Sequence, residues 1–105
     1  METNNGLYIL KTRGFMELDE NLQVEIMAKA MPRISPKTDM IVFKKDAKEH
    51  YEDDNRTLIM PLPKGLDKKV YVKLDDFGSK EVLSESAGHK VDTQYAITFL
   101  LAEEY

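Results

Sequence analysis

The side chains best suited to acid–base or metal chemistry in this sequence are two histidines, His50 and His89. They lie far apart along the chain, and neither shares helical spacing with another metal-binding residue, so a zinc site would need two carboxylates from elsewhere. An enzyme or ligand-binding site built on either histidine would also need a loop carboxylate and a concave pocket. We keep such a site as one alternative, which requires a histidine inside a pocket.

The other candidates for chemistry lack the arrangement that catalysis requires. Adjacent carboxylates occur at Asp53–Asp54, Asp75–Asp76 and Glu103–Glu104, but neighbours in an exposed turn do not acquire the separated pKa values that acid–base catalysis needs. No serine lies in a nucleophile elbow, and the sequence has no glycine-rich phosphate loop. The absence of cysteine excludes disulfides, thiolate zinc sites and iron–sulfur clusters. We therefore predict a non-enzymatic protein without catalytic residues, metal or cofactor.

Lysines form two clusters of the kind that can follow a phosphate backbone. One contains Lys44, Lys45 and Lys48, and the other extends from Lys64 to Lys73 around Tyr71. Exposed lysines beside an aromatic ring are typical of nucleic-acid-binding surfaces. Acidic residues flank both clusters, however, and the chain has a net charge of −4 because 15 Lys and Arg face 19 Asp and Glu. A nucleic-acid-binding accessory module is therefore an alternative, and a solvated surface is the favoured interpretation.

These side chains must be positioned by strands and by one predicted helix. Asp19 is a good N-cap, apolar residues recur at Leu22, Ile26 and Ala30, and Pro32 ends the pattern, so a helix is predicted over 19–31. Five apolar segments and one shorter segment predict strands at 7–12, 40–45, 57–62, 69–74, 93–102 and 81–84.

The order of these elements predicts an α+β fold in a single domain over residues 1–105. We expect an antiparallel or mixed sheet of five to six strands with one helix packed on one face. The last strand is nearly apolar on both faces and is predicted to be central. The polar ranges 44–55 and 84–92 are predicted as loops, and Gly14 is expected to adopt a positive φ.

One helix cannot cover both faces of such a sheet, so we expect a second chain to cover the rest, as a protein partner or as a homodimer. Aromatic and methionine side chains favour protein contacts, and the sequence has nine aromatic residues and six methionines. The predicted contact residues lie on the strand at 69–74 and at the end of the sequence: Lys69, Tyr71, Lys73, Glu103, Glu104 and Tyr105.

The sequence also predicts where the protein is found. The first ten residues, METNNGLYIL, lack the basic and apolar regions of a signal peptide. The longest apolar run, near 96–102, is far shorter than the roughly 20 residues that cross a bilayer. We therefore expect a cytoplasmic protein that does not associate with membranes.

Three short motifs carry a family resemblance. Tyr8 precedes Thr12-Arg13-Gly14, Leu22-Gln23 opens the predicted helix, and the third motif comprises KVYVKLDD (69–76) and the ending FLLAEEY (99–105). In order and spacing these motifs resemble an uncharacterised family from phages and prophages of Gram-positive bacteria, catalogued as domain of unknown function nine-sixty. The stretch 78–94 is longer than that family leads us to expect. The resemblance implies a one-domain α+β protein from a mobile element and brings no known activity.

Together these observations favour a small non-enzymatic binding protein, encoded by a phage or mobile element, that contacts a host or defence protein. The alternative is the nucleic-acid-binding module based on the lysines at 44–48 and 64–73. A steep salt dependence of binding would distinguish the second from the first.

Overall fold

The computed structural model describes residues 3–4 and 7–105, and the described strands form one mixed sheet. In sheet order they are β1 (Thr3–Asn4), β2 (Leu7–Lys11), β7 (Tyr95–Leu101), β6 (Val70–Asp76), β3 (Met40–Lys44), β5 (Thr57–Pro61) and β4 (His50–Glu52). β2 is parallel to β7 and β3 is parallel to β5, whereas the other neighbouring strands are antiparallel. The predicted α+β fold with a mixed sheet is confirmed. The sheet is wider than expected because the two edge strands, β1 and β4, were not predicted.

The main hydrophobic core lies on one face of this sheet, which we call the first face. Cross-strand pairing places Val72 of β6 between Ile41 of β3 and Phe99 of β7, and all three side chains are fully buried. The predicted alternation in β6 is confirmed, because Val70, Val72 and Leu74 are buried while the residues between them are only half-buried. β7 lies between β2 and β6, as expected for a strand that is apolar on both faces.

The predicted helix at 19–31 is confirmed as α2 (Glu20–Ala30). The Asp19 side chain accepts a hydrogen bond from the backbone N–H of Asn21, which satisfies one free donor of the first turn. Ile26 and Ala30 point into the main core and are fully buried. An eleven-residue helix is marginal alone in water, so this apolar stripe holds it against the first face.

A second helix of substantial length, α3 (Lys80–Ala87), corrects two predictions. The range 81–84 is helical rather than a strand, and the predicted loop at 84–92 begins inside this helix. The Ser79 hydroxyl accepts from the backbone N–H of Val82, and Gly88 ends the helix with a φ of 83°. Leu83 is the residue that α3 buries, and it packs on the sheet face opposite to α2, which we call the second face.

Three further predictions need correction. The range 44–55 is not entirely a loop, because His50–Glu52 pairs with β5 as the exposed edge strand β4. Gly14 has no positive φ and lies inside the short helix α1 (Arg13–Met16). Where one helix was expected, the described residues form three, α1, α2 and α3, together with a 3-10 turn at Ala102–Glu104.

Candidate functional site

The second face of the sheet is divided into a covered and an uncovered part. Over β2 and β7, Leu83 and Val91 pack on Tyr8 and Ala96 to form a small second hydrophobic cluster. The side chains that β6, β3 and β5 direct to this face belong to neither cluster, and most of them are half-buried. We call this uncovered part, together with Tyr105, the open face; its residues are Met40, Val42, Tyr71, Lys73 and Tyr105, whereas Ile59 on the same face is buried.

Three of the six predicted contact residues meet on the open face, at β6. The ring centroids of Tyr71 and Tyr105 are 5.3 Å apart, with an interplanar angle of 80°. Lys73 Nζ lies 5.1 Å from the centroid of the Tyr105 ring and 3.9 Å from a carboxylate oxygen of Asp75. Edge-to-face rings and a cation over a ring are both favourable geometries. Tyr105 is nevertheless 69% exposed, so a large aromatic surface faces solvent here.

The other three predicted contact residues are not part of this contact. Lys69 directly precedes β6, and its carbonyl accepts from the backbone N–H of Ala102 (2.9 Å). Glu103 is exposed, with its carboxylate 3.6 Å from Lys68 Nζ. Glu104 turns away from the open face and is held by internal hydrogen bonds.

The Glu104 carboxylate joins the 3-10 turn to the segment after β2. It accepts from the Thr12 hydroxyl, from the backbone N–H of Gly14 (2.9 Å) and from that of Leu101 (2.9 Å). These donors lower the pKa of Glu104, the Thr12 hydroxyl most of all. A Cβ atom at position 14 would lie 2.7 Å from the carboxylate carbon, so Gly14 is required for this close approach rather than for its φ.

We expect Glu104→Gln to flatten the acid branch of the pH–stability profile. A carboxylate with a lowered pKa stabilises the fold at pH values above its ordinary pKa of 4.5, and this contribution disappears as the pH falls through the lowered value. Chemical denaturation between neutral pH and about pH 3 should show a smaller loss in the variant than in the wild type. Glu103→Gln is the matched control, and a variant profile that parallels the wild type would contradict the assigned role.

An open depression of about 570 Å³ lies at one end of the open face, beside Tyr105. Its charged lining consists of four aspartates and two cations: Asp39, Asp53, Asp54, Asp75, Arg56 and Lys73. Arg56 lies 3.6 Å from Asp39, and Lys73 lies 3.9 Å from Asp75. Within the described residues, no group of three or more His, Cys, Asp or Glu side chains has the arrangement of a metal site.

The two histidines are not brought together. His50 is exposed on β4, where its Nδ1 lies 2.6 Å from the Lys48 carbonyl oxygen and its Nε2 lies 3.0 Å from a Glu52 carboxylate oxygen. The Lys48 carbonyl and then Glu52 raise the pKa of His50. His89 follows α3 and lies 3.0 Å from the Tyr8 hydroxyl. Neither histidine lines the depression beside Tyr105, so the pocket that the histidine alternative requires is not formed there.

In the folded structure, two lysines of the cluster at 64–73 lie close to acidic side chains. Lys68 contacts Glu103, and Lys73 contacts Asp75. Tyr71 already packs against the ring of Tyr105, so it is not a free platform for a nucleic-acid base. Lys44 and Lys45 are exposed at the end of β3 and contact none of these aromatic rings. The predicted interleaving of positive and negative charge is therefore also a feature of the folded surface.

Comparison with known proteins finds no match. No protein-family model, curated protein or solved structure matches this chain. The resemblance to the phage family therefore stays a prediction that rests on the three motifs. None of the helices in the described part of the chain has the length and apolar character needed to cross a bilayer.

Proposed function

We propose that this protein is a non-enzymatic binding domain and that it contacts another protein through the open face. The supporting observation is the exposed ring of Tyr105, which packs with Tyr71 and Lys73 on a part of the sheet where the described residues form no hydrophobic cluster. Tyrosines supply large contact areas at a small cost in side-chain entropy, and they are enriched at the centres of protein interfaces. A host or defence protein is the partner class that the sequence resemblance favours.

The charges of the open face define the chemistry of the proposed partner. Lys73 is accompanied by Asp75 at 3.9 Å, so these two charges largely cancel beside the tyrosine rings. The apolar contribution of Val42 and the two tyrosine rings then dominates the binding free energy. The partner surface should be amphipathic and centred on apolar or aromatic side chains, and its affinity should depend only weakly on salt.

Affinity capture with matched variants tests this proposal. The immobilised wild-type protein, Tyr105→Ala and the control Val82→Ala are compared in lysates of the host. Val82 is also an exposed hydrophobic residue, but it lies on α3, outside the open face. We expect a stoichiometric protein that is retained by the wild type and by the control and is lost with Tyr105→Ala.

Three other outcomes would contradict the proposal. Equal capture by all three proteins would remove the open face as the contact surface. Capture of nucleic acid with a steep salt dependence would favour the lysine-based alternative. A wild-type protein that only self-associates, with the self-association abolished by Tyr105→Ala, would assign the open face to a homodimer.

A further inference from the structure

A groove on the other side of the β4–β5 turn carries a charge opposite to that of the depression beside Tyr105. Its volume is about 860 Å³, and its walls are the segment that follows α2, at 32–38, and the range 54–56 together with Tyr51. Its charged lining residues are Arg33, Lys37, Arg56 and Asp54, whose formal charges sum to +2. The chain as a whole has a net charge of −4, so this positive groove contrasts with the rest of the surface.

The cations of the groove differ in how far they are already neutralised. Arg33 is fixed by Glu49, whose carboxylate lies 2.9 Å away, and it also donates to the Tyr51 hydroxyl (3.1 Å). Arg56 has a side chain that is 71% exposed and only a long contact of 3.6 Å with Asp39. Among the described residues Lys37 forms no ion pair. Lys37 and Arg56 therefore keep donors available for an anionic ligand.

The position and the chemistry of the groove favour an extended ligand. Tyr51 of β4 lines the groove, and the outer edge of β4 is not paired with another described strand. A partner strand can add to such an edge through main-chain hydrogen bonds, while pockets beside it read alternate side chains. Pro32, Pro36 and the Tyr51 ring supply apolar surface, and the Arg33 guanidinium over that ring, 5.9 Å from its centroid, keeps the ring in place.

We propose that this groove binds an extended acidic segment of a protein partner. Lys37 and Arg56 would pair with its carboxylates, Tyr51 would contact its apolar atoms, and the edge of β4 would pair with its backbone. The proposal does not depend on the open face, because the open-face residues Tyr71, Lys73 and Tyr105 do not line this groove.

Binding of a fluorescein-labelled decaglutamate peptide, followed by fluorescence anisotropy at low salt, tests the proposal. We expect saturable binding that Arg56→Glu and Lys37→Glu each weaken about tenfold, because each reversal replaces an attraction with a repulsion. Lys90→Glu is the matched control, since Lys90 is exposed and lies outside the groove, and it should leave the affinity within about twofold. Asp54→Asn removes the only carboxylate of the lining and should strengthen binding.

Several results would overturn the proposal. Absence of saturable binding at low salt would remove the groove as an acidic-peptide site. An equal effect of Lys90→Glu and Arg56→Glu would show that the peptide responds only to overall charge. Tighter binding of a decathymidine oligonucleotide than of decaglutamate, lost with Arg56→Glu, would assign the groove to a nucleic acid instead. Circular dichroism of each variant verifies that the fold is retained.

Discussion

Phe99→Ala is expected to lower the free energy of unfolding by about 3–5 kcal/mol, the largest effect that we predict for a single substitution. Phe99 is fully buried at the centre of β7, and its ring centroid lies 5.4 Å from that of Phe15 in α1. Removal of the ring leaves a cavity between the sheet and the helical layer. Domains of this size have a total stability of about 5–15 kcal/mol, so the variant should be close to unfolding at room temperature.

The measurement is urea denaturation followed by far-ultraviolet circular dichroism, because the protein contains no tryptophan. Thr98→Ala is the control: Thr98 is the preceding residue of the same strand, is half-buried on the second face, and should cost less than about 1 kcal/mol. If Phe99→Ala does not fold, Phe99→Leu leaves a smaller cavity and should give a measurable, smaller loss. A loss for Phe99→Ala no greater than that for Thr98→Ala would contradict the assignment of the main core.

Leu83→Ala is expected to lower the free energy of unfolding by about 2–4 kcal/mol. This residue is 2% exposed and is the side chain through which α3 contacts Tyr8, Val91 and Ala96. Its removal should loosen α3 and the segment after it, while the main core on the first face stays intact. Hydrogen exchange should therefore increase most strongly over the range 80–91.

The neighbouring residue provides the control for this second prediction. Val82 is 50% exposed on the same helix, so Val82→Ala should change stability by no more than about 0.5 kcal/mol. Adjacent residues of a helix point in different directions, so one apolar side chain can be buried while its neighbour faces water. Similar losses for the two variants would contradict the placement of α3 on the second face.

The parts of the fold that were predicted from sequence have strong local signals. α2 has an N-cap at Asp19, a stripe of buried apolar residues and a proline stop, and all three features are at the expected positions. The interior strands were predicted because their apolar residues alternate or form uninterrupted runs, as at Val70, Val72 and Leu74. In both cases burial of the periodic residues on one common core makes the local pattern and the tertiary structure agree.

α3 and β4 could not be predicted in the same way, because tertiary contacts hold them. α3 buries a single leucine, so it has no apolar repeat over two turns; Ser79 and Gly88, which cap its ends, were the available signal. β4 contains three exposed residues, and only pairing with β5 makes it a strand. The sequence predicted a second chain because a single helix would leave the second face of the sheet without a helix. That reason is wrong, because α3 covers the part of the second face over β2 and β7.

The sequence named the residues of the candidate site, but it did not predict that three of them contact one another. Tyr71, Lys73 and Tyr105 were chosen separately, from an alternating strand and from the end of the sequence. Their contact depends on the 3-10 turn and on the Glu104 carboxylate, which directs the chain so that Tyr105 reaches the open face. The positive groove was missed because its cations come from two distant segments, at 33–37 and at 56, which approach each other only in the folded sheet.

The most direct test of the open face is chemical modification of tyrosine in the free protein and in the complex with its captured partner. Tyr105 and Tyr51 are both exposed and should react in the free protein, whereas Tyr8, which is 6% exposed, should not. We expect the partner to protect Tyr105, while Tyr8 stays unreactive in both states and shows that the fold is unchanged. A complex in which Tyr105 reacts as fast as in the free protein would contradict the central claim.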